Sequence, residues 1–567
     1  MAIHKIHDNY LVYKGRKIAE AKYRKELSVQ LIDKFGRDPY DQKVITEIIT
    51  FCLTYYISKF ETICKAEKSY TFYKNIFWFH EQVTEATHKN LVDDTLPKEI
   101  SGNYIASYRR ILKFIIEIGC EVEMISGEEI DDNYRKRSEL ILDDLLFLGE
   151  MIMTCVDLYA EQRMIEDVAE ITFDKNSLYT FSRRHHYEFI FSHISKEFGS
   201  QITKHIVDPN GFEDFEKALE SCLGIKYKDV SHLLASIQQE LKLEHGDAVA
   251  VGWETFILNM NGLFGVSKEI AEQFFGGLRL NLDNKMSLLD LACKPYNLNR
   301  FIYRPIVMWK VDGKDFGVFG SNSWTEAIVQ LTTNAIAWGK APKEWMLNEC
   351  FKTYVHRKED EHDKWLDDAV EEKLNLVSLM YDRNVKSIKT KKNVYNIDVE
   401  GLGEIDFIII APDINKIFIS DCKHLLGRYD IVNQKNDFNA FAVGSKKTKS
   451  YNQTLTNKLE WFNTNIKLLE EHFQIKYANP QLSFDNFNIE GIFIVNSPTF
   501  YMYNSDYRIY TIDQITEVLL GKYVDPTFMI LIEEDEYEKM LNIKYPFFKK
   551  PTYVTYDPLG DEDYSEE

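Results

Sequence analysis

The 567 residues read as an α+β chain of several domains: a largely helical N-terminal region, a mixed α/β middle and a C-terminal α/β domain. Three observations lead there. The first third carries apolar residues at helical spacing. Later segments alternate polar and apolar residues around turn signals. The length itself exceeds what one core of roughly 150 residues accommodates.

Within residues 1–171, PYDQKVITEIITFCLTYYISKFETICKAEKS (39–69) predicts a helix with Asp38 as N-cap and Pro39 in the first turn. SGNYIASYRRILKFIIEIG (101–119) and RSELILDDLLFLGEMIMTCVDLYAEQRMIEDVAEI (137–171) repeat the pattern. A scaffold or sensor suits such a region. Residues 172–345 are mixed. RFIYRPIVMWKVDGKDFGVFG (300–320) predicts a hairpin about Asp312-Gly313, and SWTEAIVQLTTNAIAWGKA (323–341) a helix capped by Ser323 with Glu326 three residues on. A third domain spans 346–535. The last segment, 536–567, reads as an acidic, solvated tail; from Glu533 onward, 11 acidic residues face 4 basic ones.

Composition narrows the function. Hydrophobic residues make up 45% and charged residues 28%, which is a folded chain and not a disordered one. The net charge of −21 argues against coating nucleic acid indiscriminately or lying on an anionic membrane. No apolar run approaches a membrane span, and the N-terminus has no signal-like apolar stretch. The eight cysteines form no CxxC pair, so neither a zinc ribbon nor a thioredoxin-type site is expected. A chain this long needs no disulfide, and the expected compartment is a reducing cytoplasm.

Several motifs fail. Asp315-Phe316-Gly317 spells a kinase metal triplet without a catalytic loop before it, and no GxxxxGK[ST] or GxSxG occurs. RRHHYEFIFSH (183–193) matches no metal spacing. HRKEDEHDKW (356–365), with His356, Glu359, Glu361 and His362, is explained by a solvated helix face without a metal.

The segment that carries chemistry is NIDVEGLGEIDFIIIAPDINKIFISDCKHL (396–425). Two strands, 403–410 and 416–423, flank a turn rich in Pro412, Asp413 and Asn415. A turn centred between Asp413 and Ile414 makes paired positions sum to 827, which sets Asp406 opposite Asp421. Opposed Cβ atoms lie about 4.5–5.5 Å apart, and alternation adds Lys423 to the same face. Glu404 shares that face. Two carboxylates this close repel unless a cation lies between them. A hard divalent ion such as Mg2+ or Mn2+ takes oxygen ligands, and an ammonium alongside positions water or stabilises developing charge.

Asp406 followed by Asp421-x-Lys423 resembles the PD-(D/E)xK nuclease superfamily, the restriction-endonuclease-like fold. The likeness covers roughly 350–535. Ile405 stands where the family name has Pro, and the second acid is Asp421. The resemblance implies a central mixed sheet flanked by helices and a divalent-metal-dependent endonuclease. Asp406, Asp421 and Lys423 would be catalytic, with Asp406 and Asp421 holding the metal. The upstream helix 365–380 would supply a further acid, Asp367 or Glu371, one turn apart. On the downstream helix 446–466, Gln453 and Lys458 are candidates for contacts to water at the metal or to phosphate.

Between Arg383 and Lys458, 13 basic residues face 8 acidic ones. Lys386, Lys389, Lys391, Lys392, Arg428, Lys446, Lys447, Lys449 and Lys458 are therefore candidates for a nucleic-acid track. The expected substrate is DNA and the expected setting prokaryotic anti-phage defence or restriction. A homodimer is implied by the resemblance, and a partner protein supplying ATPase or targeting is left open. The alternatives are a ribonuclease using the same site, a resolvase of branched DNA, or a non-catalytic nucleic-acid-binding or scaffold protein that keeps an inactive nuclease fold.

Overall fold

Helical apolar spacing in the first third produces the long helices Lys17–Phe35, Gln42–Ala66, Tyr70–Asp93, Asn103–Ile118 and Asp132–Met164. The computed structural model describes the chain except residues 1, 8–9, 15–16, 38–39, 94–102, 166–167, 185–209, 242–246, 427–430, 446–447, 526–527, 535–536, 544–551 and 556–567. The expected cap at Asp38-Pro39 lies outside the described residues. The helix begins instead at Gln42, where Asp41 accepts a hydrogen bond from the Val44 amide at 2.8 Å.

The architecture is α+β with mixed sheets, and it divides into two units: residues 1–159, 169–182 and 207–361, and residues 160–168, 183–206 and 362–567. The stretches 1–171 and 172–345, read from the sequence as two domains, fall almost wholly within the first. A sheet joins them, because Glu123–Met124 pairs in parallel with Lys310–Val311. The hairpin of Ile306–Val311 and Lys314–Phe319 forms as expected, with Asp312 and Gly313 at φ 48° and 77°. The Asp-Phe-Gly triplet lies inside its second strand.

Two expectations need correction here. The helix Ser321–Asn334 is not capped by Ser323; the carboxylate of Glu81 accepts the Asn322 and Ser323 amides at 2.8 and 3.0 Å. Cys222 and Cys350 form a disulfide, with Cα atoms 5.3 Å apart. The cysteines therefore give no argument for a reducing compartment. Among the described residues no helix is long and apolar enough to cross a membrane.

In the second unit, helix α1 (Glu349–Leu376, entering at His362) leads into a five-stranded sheet. Its strands are β1 (Met380–Val385), β2 (Ile405–Ala411), β3 (Lys416–Lys423), β4 (Asn488–Val495) and β5 (Arg508–Thr511), in that spatial order. The first two pairings are antiparallel and the last two parallel. A parallel step from β3 to β4 requires a crossover. Helices α2 (Tyr451–Thr464) and α3 (Ile466–Lys476) lie in it.

Each face of the sheet has its own helix. Leu366, Val370 and Leu374, four residues apart on α1, are buried with Phe407, Ile409, Phe418, Ile492 and Ile494. The opposite face meets α2. A Cβ on Gly491 would stand 2.7 Å from Leu459 and 3.1 Å from Leu455, so the absence of a side chain lets α2 lie close against β4. The segment expected as an acidic tail contains the strands Tyr537–Ile543 and Thr552–Thr555, which form an antiparallel sheet with Phe528–Glu534. Apolar residues within it, such as Leu541 and Ile543, give strand character that the charge count hides.

Candidate functional site

The β2–β3 hairpin sets the geometry. β-branched residues run through both strands. Pro412–Ile414 forms a 3-10 turn, and Asn415 takes the left-handed conformation at φ 51°. Partners from Ala411↔Lys416 to Phe407↔Ser420 sum to 827, the register read from the sequence. The next positions outward are Asp406 and Asp421. Lys423 completes the group, with Nζ 3.9 Å from Asp406 Oδ2 and 3.8 Å from Asp421 Oδ2. The Cys422 amide donates to Asp406 Oδ2 at 2.6 Å, so the backbone of one strand orients the acid of the other.

Burial makes the grouping electrostatically tense. The Asp406 carboxyl is pushed up to about 6, first by burial and then by Asp421 and Asp367, against the pull of Lys423 and the Cys422 amide. Burial alone would lower the Lys423 ammonium, but Asp421 and Asp406 outweigh it and raise it. Lys423 also lies 5.1 Å from the ring centre of Tyr451, at the start of α2.

The upstream acids, equivalent by spacing, part company. Glu371 pairs with Arg383 on β1 at 2.6 Å and accepts from the Tyr381 hydroxyl at 3.0 Å. Asp367 lies farther from Arg383, at 3.8 Å. Its carboxyl is raised by burial and sensed by Asp406, and it interacts with Cys422 and Lys423. The structure thus brings Asp367 to the group and ties Glu371 to β1.

On α2 the assignments also shift. Gln453 is exposed and closes a capping box with Ser450, its carbonyl accepting the Ser450 amide at 3.4 Å. Lys458, expected on a phosphate track, is buried. Its ammonium bonds Asp421 Oδ1 at 2.6 Å and the Glu404 carbonyl at 2.7 Å. Lys449 is exposed, with its ammonium beside Gly401, and the Glu404 carboxylate pairs with Lys386 at 3.3 Å. Arg428, Lys446 and Lys447 lie outside the described residues, as does most of 183–193.

Sequence reasoning missed Lys458 as a direct partner of Asp421. Its four-residue offset from Thr454 and Phe462 places it on a helix face, but nothing in the sequence says which strand that face meets. It also missed Tyr451 and the Cys422 amide.

Asp406, Asp421 and Asp367 offer only carboxylate oxygens, the donor type that a hard divalent cation takes. Closing all three on one ion needs side-chain movement, because among the described residues only His362, Asp363 and His424 already hold three donor atoms within 4.8 Å of one another. Burial first, and then the nearby Asp421 and Asp367, raise the Asp406 carboxyl in spite of Lys423. In donor type the residues fit such an ion. No protein-family model, curated protein or solved structure matches this chain.

Proposed function

We propose that the chain is a divalent-metal-dependent endonuclease of the PD-(D/E)xK type, hydrolysing phosphodiester bonds in DNA. One observation carries the reading: two opposed aspartates on neighbouring strands, with a lysine ammonium within 4 Å of both. The mixed sheet with a helix on each face, and the local excess of basic residues around the site, support it further.

Asp406 and Asp421 would hold Mg2+ or Mn2+, with Asp367 as the third carboxylate; the ion supplies Lewis-acid polarisation of the phosphoryl group. Lys423 would orient the attacking water and stabilise the charge that grows on the phosphoryl oxygens. Lys458 acts through Asp421, fixing one carboxylate oxygen and leaving Oδ2 turned toward Lys423. On the same reading the setting is prokaryotic defence or restriction, where cleavage must be confined to a chosen target.

The test compares wild type with Lys423→Ala on plasmid, linear duplex, single-stranded DNA and RNA, in magnesium, manganese or EDTA. Cleavage of DNA that needs the metal and the lysine is the expected result. Cleavage confined to RNA would transfer the site to a ribonuclease. A wild type that cuts nothing in either metal, or a variant that cuts as well as wild type, would overturn the proposal.

A further inference from the structure

The residue that follows Lys423 is His424, and it does not face solvent alone. His362, in the part of α1 that belongs to the second unit, stacks on it with ring centres 3.5 Å apart and planes 10° from parallel. Aromatic pairs ordinarily lie about 4.5–7 Å apart, so these two rings are held in unusually close face-to-face contact. Trp365 closes one side, 5.7 Å from His424. The Asp363 carboxylate lies 3.8 Å from His362 Nδ1. One donor atom from each of His362, Asp363 and His424 lies within 4.8 Å of the other two.

The hydrogen bonding completes the pattern. His424 Nδ1 lies 2.9 Å from the His362 carbonyl oxygen. A carbonyl oxygen only accepts, so Nδ1 carries the proton and, in the neutral ring, Nε2 is the nitrogen with the lone pair. Imidazoles that bind metals are oriented in this way, with the second ring nitrogen donating to a carbonyl or carboxylate.

We infer that His362, Asp363 and His424 form a binding site for a borderline transition-metal ion, zinc(II) by preference, chemically distinct from the all-oxygen group at Asp406 and Asp421. Two nitrogens and one carboxylate suit zinc, whereas magnesium seeks oxygen alone. Donors on one tetrahedral zinc are about 3.3 Å apart, given bonds of about 2.0–2.1 Å. Closing from 4.8 Å needs a turn of the exposed Asp363 side chain and an opening of the stacked rings. A fourth position is left for water or another ligand. The ion would clamp α1 to the end of β3, and so hold Asp367 near Asp406 and Lys423. The inference does not depend on the nuclease reading.

The experiment uses the full chain, stripped with a chelator and titrated with zinc(II) by calorimetry in excess magnesium. Cobalt(II) is then added in place of zinc to read its visible absorption. Wild type should bind one zinc that magnesium does not displace, and cobalt should give the intense band of a four-coordinate ion. His424→Gln and Asp363→Asn should each weaken zinc at least about tenfold, and Asp421→Asn should leave it unchanged. Asp363 is exposed, so its variant keeps the fold even where the histidine variant does not. No zinc bound by wild type, or zinc bound equally by both ligand variants, would overturn the site. Loss on Asp421→Asn alone would assign the ion to the acid group and overturn it too. Nuclease assays on the same proteins report separately on the proposed function.

Discussion

Both units bury charge, and they do so to opposite effect. In the first, Glu326 lies between Arg109 and Lys113 at 2.5 and 3.1 Å. Burial alone would raise its carboxyl, but the two cations hold it well below the ordinary range. In the second, Asp406 also has cationic help, yet Asp421 and Asp367 add to burial and push it up to about 6. A raised carboxyl is not by itself the distinction: burial raises Glu117 too, although Arg300 binds it at 2.9 Å. What separates the sites is the neighbour. Glu117 faces a cation in a closed pair, whereas Asp406, beside Lys423, also faces Asp421 across the hairpin and Asp367 from α1. Charge that is balanced in place stabilises a fold, and like charge held together asks for a ligand.

The comparison can be broken most forcefully at Arg300. Arg300→Ala leaves the buried Glu117 without its ion pair and should cost about 3–5 kcal/mol of stability, read by urea unfolding. Cleavage per folded molecule should not change. At the second site the balance reverses. Lys423→Ala should lower kcat by about 10²–10³-fold, with a melting temperature close to wild type. A large loss of stability there would make the acid group structural after all. Smaller effects sharpen the picture further. Asp367→Asn should weaken Mn2+ binding about 10- to 100-fold, while Glu371→Gln, which touches Arg383 and Tyr381, should leave it nearly unchanged; isothermal titration checks both. Last comes pH. Asp406 is protonated below about 6, and a metal needs the carboxylate, so Mn2+ affinity should fall as pH is lowered through 6, by up to about tenfold per unit. A flat profile from pH 5 to 7 would remove the like-charge argument.

How much of this was legible in the sequence follows the range of the interactions. The hairpin register could be read because Pro412, Asp413 and Asn415 mark the turn and strand alternation does the rest, all within 30 residues. Asp367 and Glu371 could not be told apart, because helix spacing places both and what distinguishes them lies on strands: Tyr381 and the closer approach of Arg383 at Glu371, Cys422 and Lys423 at Asp367. Lys458 was assigned to phosphate because a lysine on a helix carries no sign of burial; its partner Asp421 is 37 residues away. His362 was read as part of a solvated run, and its neighbours support that: His356 pairs with Glu359, and Lys358 with Glu361. Only His424, 62 residues on, gives it another role. The capping of Ser321–Asn334 by Glu81, across 241 residues, was beyond any local pattern.

Gly491 has a consequence for how such a protein would respond to random change. The residue carries no functional group and reaches no acid, yet the hydrogen in place of its side chain decides how near α2 comes to the sheet. A single methyl there would stand 2.7 Å from Leu459 and 3.1 Å from Leu455, on the helix that carries Lys458, so those leucines must shift to admit it. On the proposed function, a genetic screen for lost activity is expected to return position 491 beside the aspartates wherever those leucines do not give way. Rescue of its alanine allele would come from trimming Leu459 or Leu455, not from restoring charge.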